Sequence, residues 1–235
     1  SGDDNVSDTN KLRYVLMGDP AMRLAVPWHR VVVDEIGGRE VEDLDTAEDP
    51  ATLMARQQTT IKGRIVDASG ALLSDFNGTV EGTLYDAMRS VTTLGRGGED
   101  GKEVTFDQQG GRLFVGSAEV KGGVFTMNVS MPAEVADNYR SAAINLYAGG
   151  DDGREAAGVC RDLYVYGLDE NAAADNTPPV IESIYLNHPS FRDGQTVNSA
   201  PMLMAAVRDD RAINLSTAGV GHQMMLMLDG GDKVM

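Results

Sequence analysis

The chain has 235 residues, 42% of them hydrophobic, with a formal net charge of −16 at neutral pH. That length is enough for one large cored domain or two smaller ones, while the acidic balance and the lack of any Lys/Arg run argue against nucleic-acid binding through phosphates. No apolar run is long enough for a membrane-spanning helix, the N-terminus shows no export-signal pattern, and the single cysteine, Cys160, excludes an internal disulfide framework and a cysteine-based zinc site.

In chain order, a polar leader containing Asp and Asn comes first. The stretch "YVLMGDPAMRLAVP", Tyr14 to Pro27, then reads as a short strand, a turn at Gly18-Asp19-Pro20, and a restart. As a phosphate loop it fails, because it has no GxGxxG, no GK[ST] and no following helix. "RVVVDEIGGREVEDL" reads as a hairpin about Gly37-Gly38, since paired glycines take the positive φ angles of a tight turn. "DPATLMARQQ", Asp49 to Gln58, suits either a turn or two of helix, with Asp49 as N-cap and Pro50 at the first position, or an extended connection.

In "TTIKGRIVDASGALL", Ile61, Gly63 and Ile65 alternate with Lys62 and Arg64 before a turn at Asp67 to Gly70. "GRGGEDGKE", Gly95 to Glu103, is a hairpin tip between strands. "GGVFTMNVSMP" is the clearest strand: Phe125, Met127, Val129 and Met131 fall on one face, and Thr126, Asn128 and Ser130 on the other. "SAAINLYA" and "GVCRDLYVYG" follow at similar spacing. Short runs rich in Val, Ile, Leu, Thr and Tyr, bounded by turn residues, predict an all-β fold of Ig-like antiparallel β-sandwich domains.

A boundary falls in "GLDENAAADNTPPVIESIYLN", where a small, Ala-rich polar stretch meets Pro178-Pro179, which blocks helix and stiffens the chain. The predicted organisation is 1–27 as leader and strand/turn, 28–167 as a β-sandwich domain, 168–178 as linker, and 179–235 as a second β domain. That second unit stops in mid-pattern at "HQMMLMLDGGDKVM", as a truncated domain does.

Candidate chemistry is sparse. Cys160 is the only thiol; it is predicted to share a strand face with Asp162, Tyr164 and Tyr166, and a carboxylate nearby raises a thiol's pKa. His29, His188 and His222 are too dispersed for a local metal motif and read as structural or solvent-exposed. Asp151 and Asp152, and Asp169, Glu170 and Asp175, form acidic turns without the ligand spacing of an EF-hand, so solvated turns are the simpler reading beside a structural calcium. The Met224 to Leu228 run, with Met202 and Met204, reads as sandwich core, or as an exposed edge if the domain is cut. No catalytic or cofactor-binding residue is assigned, and the metal question stays open.

"YVLMGDPAMRLAVP" resembles the stretch that closes the caspase-like α/β peptidase domain of the gingipain superfamily, a family of cysteine peptidases. "IKGRIVDASGALLSDFNGTVEGTLYDAMRSVTTLG", "DNTPPVIESIYLN" and "GVGHQMMLMLDG" resemble segments of the β-rich region downstream of that domain in PorU-like sortases of the Bacteroidetes type IX secretion system. The resemblance implies that residues 1–27 include a remnant of a peptidase domain whose catalytic Cys and His lie upstream of Ser1, so that this chain alone carries no catalytic motif. It implies a parent that cleaves the C-terminal sorting signals of exported cargo and attaches the cargo to anionic lipopolysaccharide, placed at the bacterial outer membrane by a signal upstream of this fragment. The implied partners are the peptidase domain, secretion-system outer-membrane proteins and cargo C-terminal domains. The rival reading is an extracellular adhesin or carbohydrate-binding module, whose aromatic platform would have to come from Tyr164 and Tyr166.

Overall fold

A computed structural model describes residues 26–44, 48–95, 101–173, 176–209, 213, 226–227 and 233–234. The strands are β1 (His29–Ile36), β2 (Arg39–Glu40), β3 (Ala51–Ala55), β4 (Gln58–Val66), β5 (Gly78–Tyr85), β6 (Arg89–Thr92), β7 (Thr105–Gln108), β8 (Arg112–Lys121), β9 (Val124–Ser130), β10 (Arg140–Ser141), β11 (Ala143–Gly150), β12 (Glu155–Cys160), β13 (Leu163–Leu168), β14 (Val180–Leu186), β15 (Leu203–Arg208), β16 (Leu226–Met227) and β17 (Lys233–Val234). The sole helical element among the described residues is a 3₁₀ turn at Val41–Asp43, and the chain is all-β as expected. Tyr14 to Ala25 and His222 lie outside the described residues.

The strand periodicity of the sequence is realised where it is clearest. In β9, Phe125, Met127 and Val129 are buried, and Met131 just after it is buried too. In β4, Ile61 and Ile65 are fully buried while Lys62 and Arg64 reach out to Glu35 and Asp34 of β1. Gly37 and Gly38 take φ of 60° and 85°, which closes the β1–β2 hairpin. At the next turn the Asp67 carboxylate accepts from the Ser69 hydroxyl, its amide and the Ala71 amide; the hydroxyl leads in holding this carboxyl below the usual carboxylate range. The segment 49–58, open between helix and extended chain, is extended, because Ala51 to Ala55 pairs in parallel with β13 and alternates buried with half-buried residues.

The sandwich expectation meets a different closure. Seven strands are hydrogen-bonded in the cyclic order β1-β12-β11-β5-β8-β9-β4 and back to β1, with β2 attached to β1. All contacts around this ring are antiparallel except the short parallel seam between β1 and β12, His29 with Ala156 and Arg30 with Ala157. The result is a barrel-like sheet in place of the two facing sheets of an Ig-like sandwich. Alternation dictates an inside and an outside, and it is identical for a sheet packed on another and a sheet closed on itself.

Glycine makes the seam possible: a Cβ at Gly158 of β12 would lie 2.0 Å from the Val31 carbonyl oxygen of β1. A second sheet, β10-β13-β3, contributes Leu53, Leu163 and Val165 to the core that Ile61, Val80, Leu84 and Met127 form inside the ring. Three further ribbons among the described residues are β6–β7, β14–β15 and β16–β17.

Candidate functional site

The thiol comes first because it is the only nucleophile of its kind. Cys160 ends β12 and is 7% exposed. Burial pushes its pKa up; a hydrogen bond with the Asp162 backbone opposes this, and the negative charge of Asp162 adds to it. The Sγ–Asp162 Oδ2 separation is 4.0 Å. His29 pairs with Ala156, four residues back along β12, and so sits ~13 Å from Cys160 along the strand. Neither described histidine hydrogen-bonds the thiol. His29 is half-buried, with Nδ1 sealed and unpartnered, while His188 Nδ1 contacts the Ser190 hydroxyl at 2.9 Å in its own turn. A neutral, buried thiol without an imidazole is not an activated nucleophile.

The expected common face of Cys160 with Tyr164 and Tyr166 is corrected by the structure. The strand breaks at residues 161–162, because the chain leaves the ring there and restarts as β13 in the second sheet. Cys160 points inward. Tyr164 and Tyr166 point outward, on the opposite side of β13 from buried Leu163 and Val165.

The acidic turns are occupied by their own neighbours. The Asp152 carboxylate accepts from the Arg154 amide and guanidinium at 3.0 and 2.7 Å, and Asp169 accepts from the Asn171 amide at 3.0 Å. Asp175 lies outside the described residues. A shallow depression of about 410 Å3 over β1, β4 and β9 is lined by Asp34, Glu35, Glu40, Lys62 and Glu119. Its carboxylates Glu35 and Glu119 are bridged to Lys62 and Lys121 at 2.8 Å each, and Asp34 to Arg64. Three of the four carboxylates there are thus held in exposed ion pairs.

One constellation escaped the sequence reading, and another was read only in part. Asp86, just past β5, is 4% exposed. Its Oδ1 accepts from the Ala87 amide at 2.8 Å and its Oδ2 from the Ala136 amide at 2.9 Å, so one carboxylate holds together loops fifty residues apart. Burial raises its pKa, and the two amides pull it back down in part.

The other constellation is aromatic. Tyr139 joins Tyr164 and Tyr166, with ring centroids 4.9 and 5.4 Å away and planes inclined at 39° and 79°. Cross-strand register puts Ser141 and Thr52 on either side of Tyr164 on the same outward face. Beside it, Arg140 clamps Asp107 of β7 through two contacts of 2.9 and 2.6 Å, which hold the Asp107 carboxyl down at about 2 with help from the Ser90 hydroxyl. Tyr139 lies in an unpatterned loop, "ADNYRS", and only the β10–β13 register reveals it as a neighbour of Tyr164 and Tyr166.

No family model and no curated protein matches the chain. Among solved structures it is similar to dimeric latent PorU from Porphyromonas gingivalis, with 32% identity and a TM-score of 0.58 over 92% of this chain and 20% of that one. The sporulation control protein Spo0M from Bacillus subtilis aligns with 11% identity and a TM-score of 0.31 over 60% of this chain and 50% of that one, a likeness from which nothing follows. The chain spans about a fifth of the length of the PorU structure it matches, and over nearly all of its own length it is a PorU-like region.

Proposed function

We propose that this chain is the non-catalytic β-rich region of a type IX secretion sortase of the gingipain superfamily. In this reading the parent protein acts at the outer-membrane surface, removes C-terminal sorting signals from exported cargo and joins the cargo to anionic lipopolysaccharide. Residues 28–167 brace the peptidase domain or dock secretion-system proteins and cargo domains, 168–178 link, and 179–235 belong to a second β domain. The observation that carries the proposal is the 32% identity with PorU across 92% of the chain. The buried Cys160, without an imidazole partner among the described residues, agrees with catalysis residing elsewhere in the parent.

The test is genetic and direct. The coding sequence upstream of Ser1 should encode a caspase-like α/β domain, with a His-Gly after one strand and a Cys after the next. Removing residues 28–173 from that parent should abolish cargo maturation while the peptidase domain stays folded. A signal peptide leading straight into further β repeats, or full maturation after the deletion, would sink the proposal.

A further inference from the structure

We propose that Tyr139, Tyr164 and Tyr166 form a binding site for a neutral carbohydrate chain. The proposal stands on the geometry of the β10-β13-β3 sheet and does not depend on the sortase reading. Tyr139 is 52% and Tyr166 40% exposed, although each ring packs on another. None of the three hydroxyls has a hydrogen-bond partner among the described residues, so each is left to water or to a ligand.

The inclined rings make a stepped surface. A pyranose ring offers what such a surface takes: an apolar C–H face to lie on a phenol, and a rim of hydroxyls for the phenolic oxygens and for the oxygens of Ser141 and Thr52, which donate to Met88 Sδ and the Pro50 carbonyl and can accept from a sugar. Two other occupants fit worse. The exposed parts of the three tyrosines supply on the order of 250 Å2, against the ~800 Å2 per partner of a stable protein interface. An anionic ligand would meet an Arg140 already held by Asp107, on a chain whose net charge is −16.

The test is affinity electrophoresis of the whole chain through gels containing mannan, xylan, mixed-linkage glucan or dextran, with dextran sulfate as the anionic comparison. At least one neutral polymer should retard the protein. Tyr139→Ala and Tyr166→Ala should each weaken that retardation roughly fivefold, the scale of one aromatic contact. Tyr147→Ala, an exposed tyrosine on β11, should leave it unchanged. If an alanine variant unfolds, the Tyr139→Phe/Tyr166→Phe pair keeps both rings and removes both hydroxyls, and should still weaken retardation. Unaltered mobility in every neutral gel, retardation by dextran sulfate alone, or retardation indifferent to the tyrosine variants would overturn the proposal.

Discussion

The ring and the β14–β15 ribbon are written in the same alphabet and end in opposite environments. Ile61, Ile65, Val80, Leu84 and Met127 of the ring are 0% exposed, whereas Val180, Ile181 and Ile184 of the ribbon are 58%, 63% and 58% exposed. Both regions pair antiparallel with β-branched and long apolar side chains. What separates them is closure: the ring surrounds its own interior, while the β14–β15 ribbon pairs with no further strand among the described residues. Strand propensity decides that a segment extends; topology decides whether its side chains leave water.

The largest effect should come from emptying the ring. Leu84→Ala or Ile61→Ala removes a fully buried side chain and should cost about 2–5 kcal/mol in denaturant unfolding. A loss below about 1 kcal/mol would mean that the interior collapses without a cavity, and the contrast with the ribbon would fade. The seam is the next point of attack. Gly158→Ala places a methyl 2.0 Å from the Val31 carbonyl, so β12 must move away from β1, at about 1–3 kcal/mol or more. Hydrogen exchange should quicken first at the amides of β1 and β12, and uniform quickening around the ring would deny the seam its special part.

Asp86 tests a brace outside the apolar interior. Asp86→Ala leaves the Ala87 and Ala136 amides without their acceptor and should cost about 1–3 kcal/mol. Asp86→Asn recovers only part of this, because its amide group must face one of the two N–H donors. The pH dependence separates this group from Asp107. Asp86 has a raised pKa, so the folded state takes up its proton before the unfolded state does, and acidification from neutral first relieves the cost of a buried charge. Asp107 is depressed from 3.8 to about 2, so its contribution is present above 3.8 and is lost as the pH falls toward 2. Asp107→Asn should therefore flatten the stability profile between those two values, lie below the parent by a constant amount at higher pH, and leave the slope above about pH 5 unchanged. A profile unchanged at low pH would show that solvent screens the Arg140–Asp107 pair completely.

How much of this could be read in advance follows from where the information lies. The faces of β4 and β9, the Gly37-Gly38 turn and the turn at Asp67 are local facts, set by alternation and by single residues with unusual backbone freedom. The seam is not local: His29 and Ala156 are far apart in sequence, and the residue that permits their strands to meet, Gly158, looks like any glycine in a strand. Cys160 illustrates the same limit. Alternation carried across residues 161–162 puts it beside Tyr164, but the break between two sheets resets the phase. The tyrosine face needed a third ring from the loop before β10, and Asp86 needed the Ala136 amide, fifty residues on. Both depend on tertiary register, which no periodicity encodes.

The smallest expected effect is the most informative about the ribbon. Ile181→Ser and Ile184→Ser change side chains more than half exposed, so little apolar area returns to water on unfolding, and stability should move by no more than about 0.5 kcal/mol. The same substitutions at Ile61 and Ile65, whose side chains are wholly buried, should be among the most damaging in the chain. The serines also lower the apolar exposure of a ribbon with open edges, so self-association at high concentration, followed by light scattering, should fall while the unfolding midpoint holds. If instead Ile184→Ser costs several kcal/mol, the side chain is covered in solution, and the difference between ring and ribbon is one of partner rather than of topology.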